Sequence, residues 1–341
     1  MSTQTRKEEH IHINVREKVT SALPSGFEQI HFAHQALPEI DAKEIDTSVT
    51  FLNQKLKIPL LISGMTGGTP KAQQINQRLA VVAQERGLAM GLGSMRVLHE
   101  KPETLASFAM RKTAPRLPLL LANLGAVQLN YGVRPEDCQR LVDSCEADAL
   151  VLHLNPLQEM LQKEGDTNWA ALLPKIERVV RCVQVPVFCK EVGYGFSKKV
   201  ATHLAQVGVQ GFDIAGAGGT SWSEVEAFRA PTDLHKRLAH SFIGWGIPTK
   251  QSLEMVQQAL PTTQLIASGG IRSGIEAAKA FHLGAHLVGM AAPFLKAAVQ
   301  SCKALDDVVT LFDAQLRTTM FCTGSRTCDD LQKADVLNEK P

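Results

Sequence analysis

The chain has 341 residues, with 36 Lys and Arg against 34 Asp and Glu, a net charge of +2 and 44% hydrophobic residues. This balance argues against nucleic acid or a membrane surface as a partner, and the hydrophobic share is enough for a large core. Seven cysteines, an odd number with no Cys-x-x-Cys pair, fit reduced thiols better than a disulfide framework. Met1 to Lys18 is polar and charged, with no signal-peptide apolar stretch. Within it Arg6, Lys7 and His10 form a cationic patch that composition alone reads as a solvated, disordered tail. No apolar run is long enough to cross a bilayer, so the expectation is a soluble cytoplasmic protein.

Eight short apolar runs follow: Pro59–Ser63, Leu88–Leu92, Pro118–Asn123, Ala149–Leu154, Val185–Lys190, Gly211–Ala215, Gln264–Ser268 and Ala285–Met290. They are continuous rather than alternating, as expected of parallel strands buried on both faces. Helical patterns lie between most of them: Gln73–Arg86, Pro135–Ala147, Trp169–Cys182, Lys198–Val207 and Ile275–Leu283. Eight βα units predict an α/β protein of the (β/α)8 TIM barrel type, since a doubly wound open sheet usually has fewer strands. The simplest organisation is a single domain over 1–341 with an N-terminal extension over 1–55. The stretch from Gly216 to Thr263 is longer than one helix requires and is expected to hold a lid or binding loop.

In such barrels the working residues sit at the C-terminal ends of the strands. The last two ends read Ser268-Gly269-Gly270-Ile271-Arg272-Ser273-Gly274 and Gly289-Met290-Ala291-Ala292-Pro293-Phe294. Paired glycine-rich turns at this spacing suit a phosphate, whose donors are backbone N–H groups at helix starts, with Arg272 adding charge. Lys190 interrupts an apolar run and should face an anion or an electron-rich ring. Met65-Thr66-Gly67-Gly68 could lay backbone amides against a flat heterocycle. Asn155 and Pro156 fit a helix N-cap and first helical position, which would explain the pair without any function. Gln158 and Glu159 then fall in the first turn near the barrel mouth. A carboxylate there can hold Mg²⁺ on substrate phosphates, or merely complement the helix dipole. His153 reads equally as a structural histidine.

Taken together these segments resemble, end to end, the type 2 isopentenyl-diphosphate delta-isomerases, which are FMN-dependent (β/α)8 barrels. The resemblance rests on Arg6-Lys7-x-x-His10, Ser63-Gly64-Met65-Thr66-Gly67-Gly68, Gly93-Ser94-Met95-Arg96, Asn123-Leu124-Gly125, His153-Leu154-Asn155-Pro156-Leu157-Gln158-Glu159, Lys190-Glu191-Val192-Gly193, Ala217-Gly218-Gly219-Thr220-Ser221-Trp222, both phosphate turns and Met320-Phe321-x-x-Gly324. It implies that FMN is held by Met65, Thr66, Gly67, Ser94, Asn123, Lys190 and Thr220, with its phosphate at Gly270, Ile271, Arg272, Ala291 and Ala292. It also implies a substrate diphosphate on Arg6, Lys7, His10, Arg96, His153 and Asn155, with Mg²⁺ through Glu159. Gln158 would sit beside the reacting carbons, making Gln158, Lys190 and His153 the catalytic candidates. The N-terminal patch should then order over the substrate, and in the tetramer or octamer that the resemblance implies a neighbouring subunit could supply it.

The implied reaction moves the double bond of isopentenyl diphosphate by one carbon to give dimethylallyl diphosphate. Reduced FMN, with NADPH as the reductant, would offer a proton donor at N5 and an electron-rich ring, with no net redox change. The competing expectation is an FMN-dependent 2-hydroxy-acid oxidase or dehydrogenase, which needs a base, usually His, near the end of the sixth strand. Asp213-Ile214-Ala215-Gly216-Ala217-Gly218 has none. An inosinate-type dehydrogenase would want a Cys in the loop that follows, and a mere flavin-binding module would leave the Arg6–His10 and Leu154–Glu159 clusters unexplained.

Overall fold

A computed structural model describes residues 3–337. In chain order, α1 (Thr3–Arg16) is followed by the hairpin β1 (Val49–Phe51) and β2 (Gln54–Leu56). Next come β3 (Leu60–Ile62), α2 (Pro70–Arg86), β4 (Ala89–Gly91), α3 (Arg96–Glu100) and β5 (Leu119–Gly125). Then follow α4 (Pro135–Cys145), β6 (Ala149–His153), α5 (Pro156–Leu161), α6 (Leu172–Cys182), β7 (Val187–Lys190), α7 (Lys198–Gln206) and β8 (Gly211–Asp213). The chain ends with α8 (Trp222–Arg229), α9 (Asp233–His240), α10 (Thr249–Ala259), β9 (Gln264–Ser268), α11 (Gly274–His282), β10 (Leu287–Met290), α12 (Ala292–Gln300) and α13 (Cys302–Cys322).

β3 to β10 pair in parallel and close into a barrel, β10 returning to β3. Each of the eight expected runs coincides with one barrel strand, β5 continuing two residues beyond its run to Gly125, in agreement with the (β/α)8 reading. Alternation along the strands divides two apolar layers. Leu61, Ala89, Leu119, Leu121, Ala149, Val151, Phe188, Ile266 and Leu287 pack together inside the barrel. Leu60, Ile62, Leu120, Ala122, Leu150 and Leu152 face the surrounding helices. The hairpin adds Phe51 and Leu56, both fully buried, to the interior layer and so plugs the N-terminal end. Its turn, Leu52-Asn53, has positive φ at both residues (49° and 60°), the twist that joins two strands tightly.

The alternation also dictates the next layer. Two residues beyond the apolar interior, the inward positions are Ser63, Gly91, Asn123, His153, Lys190, Asp213, Ser268 and Gly289. A packed apolar barrel therefore ends in a polar ring at its C-terminal mouth.

Composition alone suggested a solvated tail at the N-terminus; residues 3–16 instead form an ordered helix, in line with what the resemblance implied, because Ile11 and Ile13 beyond the charged patch are buried and anchor it. Ile13 packs with Val19, Val225 and Trp222. One expectation needs correction. The stretch after β8 is more than a loop: it supplies α8 and α9 before the barrel helix α10, and α8 packs against α1 and α5. All seven cysteines are free, and among the described residues no helix is long and apolar enough to cross a membrane.

Candidate active site

At the barrel mouth a cavity of about 340 Å³ is roofed by α1. Arg6, Lys7 and His10 enter from α1, and Met65, Thr66, Ser94 and Arg96 from the turns after β3 and β4. Asn123, His153 and Lys190 line it from β5, β6 and β7, Asn155, Gln158 and Glu159 from the start of α5, and Thr220 from the turn before α8. The two glycine-rich turns close it with Gly270, Ile271, Arg272, Ala291 and Ala292. Gly67 alone among the expected residues does not line the cavity. It is buried against Phe108, whose ring would lie 2.2 Å from any Cβ placed there.

The polar ring is tightly organised. His153 Nδ1 lies 2.7 Å from Asn123 Oδ1. Burial first, then the charges of Lys190 and Lys7, push the His153 imidazole down to about 4, so it is neutral at pH 7. Lys190 Nζ stands 2.9 Å from Asp213 Oδ2, the anion its place in an apolar run demanded. Ser268 Oγ donates to the other oxygen of Asp213.

The segment after β6 behaves differently from the expected cap. Asn155 occupies the N-cap position of α5, but its side chain makes no capping bond. Instead Nδ2 donates to Gln158 Oε1 (3.1 Å) and Glu159 Oε1 (2.9 Å). Gln158 Nε2 in turn donates to Glu226 Oε1 at 3.3 Å, so both ends of the amide are held. Glu159 also accepts from Gln162 Nε2 and from the Asp166 backbone N–H at 2.8 Å. Asp166 pairs with Arg96 and accepts from Gln128 Nε2 at 2.8 Å.

The roof is fixed by charge. Lys7 Nζ donates to Ser94 O at 2.8 Å and lies over the Phe108 ring. His10 Nε2 is 3.2 Å from Glu226 Oε1, and Arg229 pairs with both Glu9 and Glu226. Burial alone would raise the Glu226 carboxyl, but His10, Arg229 and Gln158 together hold it below the usual range. Burial and then Arg6 bring the Lys7 ammonium down to about 7, against a smaller opposing pull from Glu100.

Glu226 and Asp213 were not singled out from sequence as site residues. Asp213 could have been found from the period-2 alternation that places it beside Lys190 on the inward face. Glu226 carries a weaker signal, the Trp222-x-x-x-Glu226 spacing on one helix face.

The cavity fits a flat, phosphorylated cofactor. Ser63 Oγ and Thr66 Oγ1 are buried at its wall without a hydrogen-bond partner among the described residues, as is Asn155 Oδ1. Gly269 and Gly270 have φ of 103° and 79°, and a Cβ on Gly270 would lie 2.7 Å from the Gly218 backbone. Two loops thus meet backbone to backbone at the turn, an approach only glycine permits. The start of α12 has no side-chain cap, which leaves its N-terminus facing the cavity at Ala291 and Ala292. For a metal the protein alone provides less: among the described residues no group of three His, Cys, Asp or Glu could hold one.

Comparison with known proteins agrees with this geometry. Residues 128–338 match the family model of FMN-dependent dehydrogenases. Isopentenyl-diphosphate delta-isomerase of Rickettsia africae is 57% identical over 331 residues, 97% of this chain and 96% of the relative. That of Rickettsia bellii is 56% identical over 337 residues, 98% of each. Among solved structures, a lactate oxidase of Pediococcus acidilactici superposes with a TM-score of 0.69 at 16% identity, covering 99% of this chain and 94% of that one. A mandelate oxidase with benzoyl-formic acid gives 0.65 at 16% identity, covering 97% and 90%. The two oxidases share the fold, whereas the near-full-length relatives share the sequence: the chain belongs to the isopentenyl-diphosphate delta-isomerase family, built on the barrel of the FMN-dependent dehydrogenases.

Proposed function

We propose that the protein isomerises isopentenyl diphosphate to dimethylallyl diphosphate by acid–base chemistry on reduced FMN, with no net redox change and with Mg²⁺ on the diphosphate. The observation that carries this reading is the presence of two anion-binding regions in one cavity. The glycine-rich turns offer one, for the flavin phosphate. The cations of α1 together with Arg96 offer the other, for a diphosphate. A hydroxy-acid oxidase has one small carboxylate to bind and needs a base after the sixth barrel strand. That position holds Ile214, Ala215 and Gly216, and the cavity histidines are His10, held by Glu226, and His153, held by Asn123.

Met65, Thr66, Ser94, Asn123, Lys190 and Thr220 would hold the flavin, with its phosphate on Gly270, Ile271, Arg272, Ala291 and Ala292. Reduced FMN supplies a proton donor at N5 and an electron-rich ring that stabilises positive charge on the substrate. A proton is added to the terminal alkene carbon and one is lost from C2, so the product is an isomer of the substrate with the same electron count, and the C–O bond to the diphosphate stays intact. Lys190 favours the anionic reduced ring through its charge. Gln158, clamped between Asn155 and Glu226, orients groups at the reacting carbons. Arg6, Lys7, His10, Arg96 and Asn155 would bind the diphosphate; neutral His153 spends its Nδ1–H on Asn123 Oδ1 and presents an unprotonated Nε2, so it would have to take up a proton there to join them.

Glu159 uses both oxygens on protein donors, so Mg²⁺ would arrive with the diphosphate, taking one carboxylate and the substrate oxygens as ligands. NADPH would serve only to reduce the flavin. The chain is read as one functional unit, 1–341, whose extension completes the site. Exposed Phe228, Leu234, Leu238 and Trp245 support a homo-oligomer, and the seven free thiols support a cytoplasmic location. The test is anaerobic turnover in D₂O with dithionite-reduced FMN and Mg²⁺. Deuterium in the newly formed methyl group of dimethylallyl diphosphate is expected, and no conversion of isopentenyl diphosphate would contradict the reading.

A further inference from the structure

Lys190 and Asp213 are the last residues of β7 and β8 and stand opposite each other in the register. Nζ and Oδ2 are 2.9 Å apart, and Asp213 is 2% exposed. Burying two charges in place of two apolar side chains brings a fold little stability, because desolvation offsets the attraction. Removing one partner, however, strands the other in a poor solvent. The pair thus makes sense as a device that controls one of its members.

The surroundings show which member. From β6, Lys190 faces His153, which is neutral at pH 7. From β9 it faces Ser268, whose Oγ is 3.5 Å from Nζ and donates to Asp213 Oδ1. Glu191, the next residue, accepts from the backbone N–H groups of Val192, Gly193 and Tyr194 through Oε2, and burial pushes its carboxyl up to about 7. Lys7 on α1 is a further cation, bonded to Ser94 O. Asp213 is therefore the carboxylate in direct contact with the ammonium, and Ser268 fixes that carboxylate.

We propose that Asp213 is a positioning residue for the flavin chemistry: it keeps Lys190 protonated and aimed into the cavity in both redox states of the cofactor, with Ser268 orienting its carboxylate. The proposal rests on the placement of Lys190 beside the flavin given above. It has a consequence for proton counting. Oxidised FMN takes up two electrons and one proton, at N5, to become the reduced anion. With Asp213 in place Lys190 is charged throughout, so reduction draws in that single proton. With the carboxylate neutralised, Lys190 sheds its proton beside oxidised flavin and regains it when the anion forms. Reduction then draws in two.

The test is the midpoint potential of the FMN-loaded protein against pH, measured by anaerobic dithionite titration with a reference dye. For the wild type a slope of one proton per two electrons is expected. For Asp213→Asn a doubled slope is expected at neutral and alkaline pH. In a Lys190→Ala background Asp213→Asn should leave the slope unchanged. A two-proton slope in the wild type would overturn the Lys190 assignment itself. A one-proton wild type with an unchanged Asp213→Asn slope, or a doubling that persists without Lys190, would overturn the role of Asp213 alone. If Asp213→Asn does not retain FMN, Ser268→Ala replaces it, keeping both charges while removing the donor to Asp213. Extra proton uptake at the alkaline end is then expected, and its absence counts against the proposal.

Discussion

Charged residues at the mouth act under opposing pulls, and two predictions follow from how each is held. Lys7 is buried, and burial brings its ammonium down to about 7. As pH rises through that value the free protein loses a cation that the diphosphate needs. KM for isopentenyl diphosphate should therefore rise by up to roughly tenfold per pH unit above neutrality, while kcat stays flat because bound diphosphate retains the proton. Lys7→Arg, charged at every accessible pH, should abolish that limb of the KM profile. Glu159 is held by Asn155, Gln162 and the Asp166 backbone, so the amide isostere preserves the local packing but not the charge. In Glu159→Gln the Mg²⁺ concentration for half-maximal turnover should rise by roughly tenfold or more, with FMN affinity unchanged. An unaltered Mg²⁺ titration would remove Glu159 from the metal.

On the proposed reading the substrate is met chiefly by α1 and by α8 behind it, which lie outside the barrel proper. Lys7 to Ser94, His10 to Glu226 and Glu9 to Arg229 tie α1 across the mouth. The barrel holds the phosphate turns without it. Deleting residues 1–17 should therefore leave FMN affinity within about threefold while raising KM by roughly 100-fold, the loss of several charge-assisted contacts. Equilibrium dialysis of FMN beside steady-state kinetics separates the two effects. The barrel strands were legible in sequence because parallel strands buried on both faces are unbroken apolar runs. The order of α1 was hidden in its composition, since its first ten residues are mostly polar and its anchors, Ile11 and Ile13, come after the patch. The hairpin that plugs the barrel was passed over because its turn is Leu52-Asn53 rather than a glycine pair, although Phe51 and Leu56 lie on one face. Gly67, expected at the cofactor from its glycine-rich motif, does not line the cavity, and a Cβ there would meet the Phe108 ring. Asn155 looked like a cap from the Asn-Pro pair, yet its amide is spent on Gln158 and Glu159.

For the molecule as a whole, the polar ring that serves chemistry carries a cost in acid. An ordinary imidazole titrates near 6.5, whereas His153 does so at about 4 in the fold. Between these values the unfolded chain takes up a proton that the folded one refuses. The stability His153 allows is thus complete above about 6.5 and declines as pH falls toward 4. Allowing for its partial exposure, this should amount to about 2 kcal/mol in urea unfolding between those limits. His153→Asn should flatten that dependence. The fold was readable from the apolar runs, and every residue expected at the site except Gly67 lines the cavity, those of α1 having been assigned by the resemblance rather than from a strand end. The ion pair Lys190–Asp213 and the Glu226 clamp were not readable, because each partner comes from a different strand or helix and only barrel closure brings them together. On the proposed reading a flavin barrel whose fold is shared with oxidases performs isomerisation without net redox. The most direct measurement is anaerobic turnover with isopentenyl diphosphate, FMN, Mg²⁺ and a limiting amount of NADPH, following both NADPH and dimethylallyl diphosphate. Product in large excess over NADPH consumed is the predicted result; NADPH oxidised and flavin bleached with no dimethylallyl diphosphate formed would contradict it.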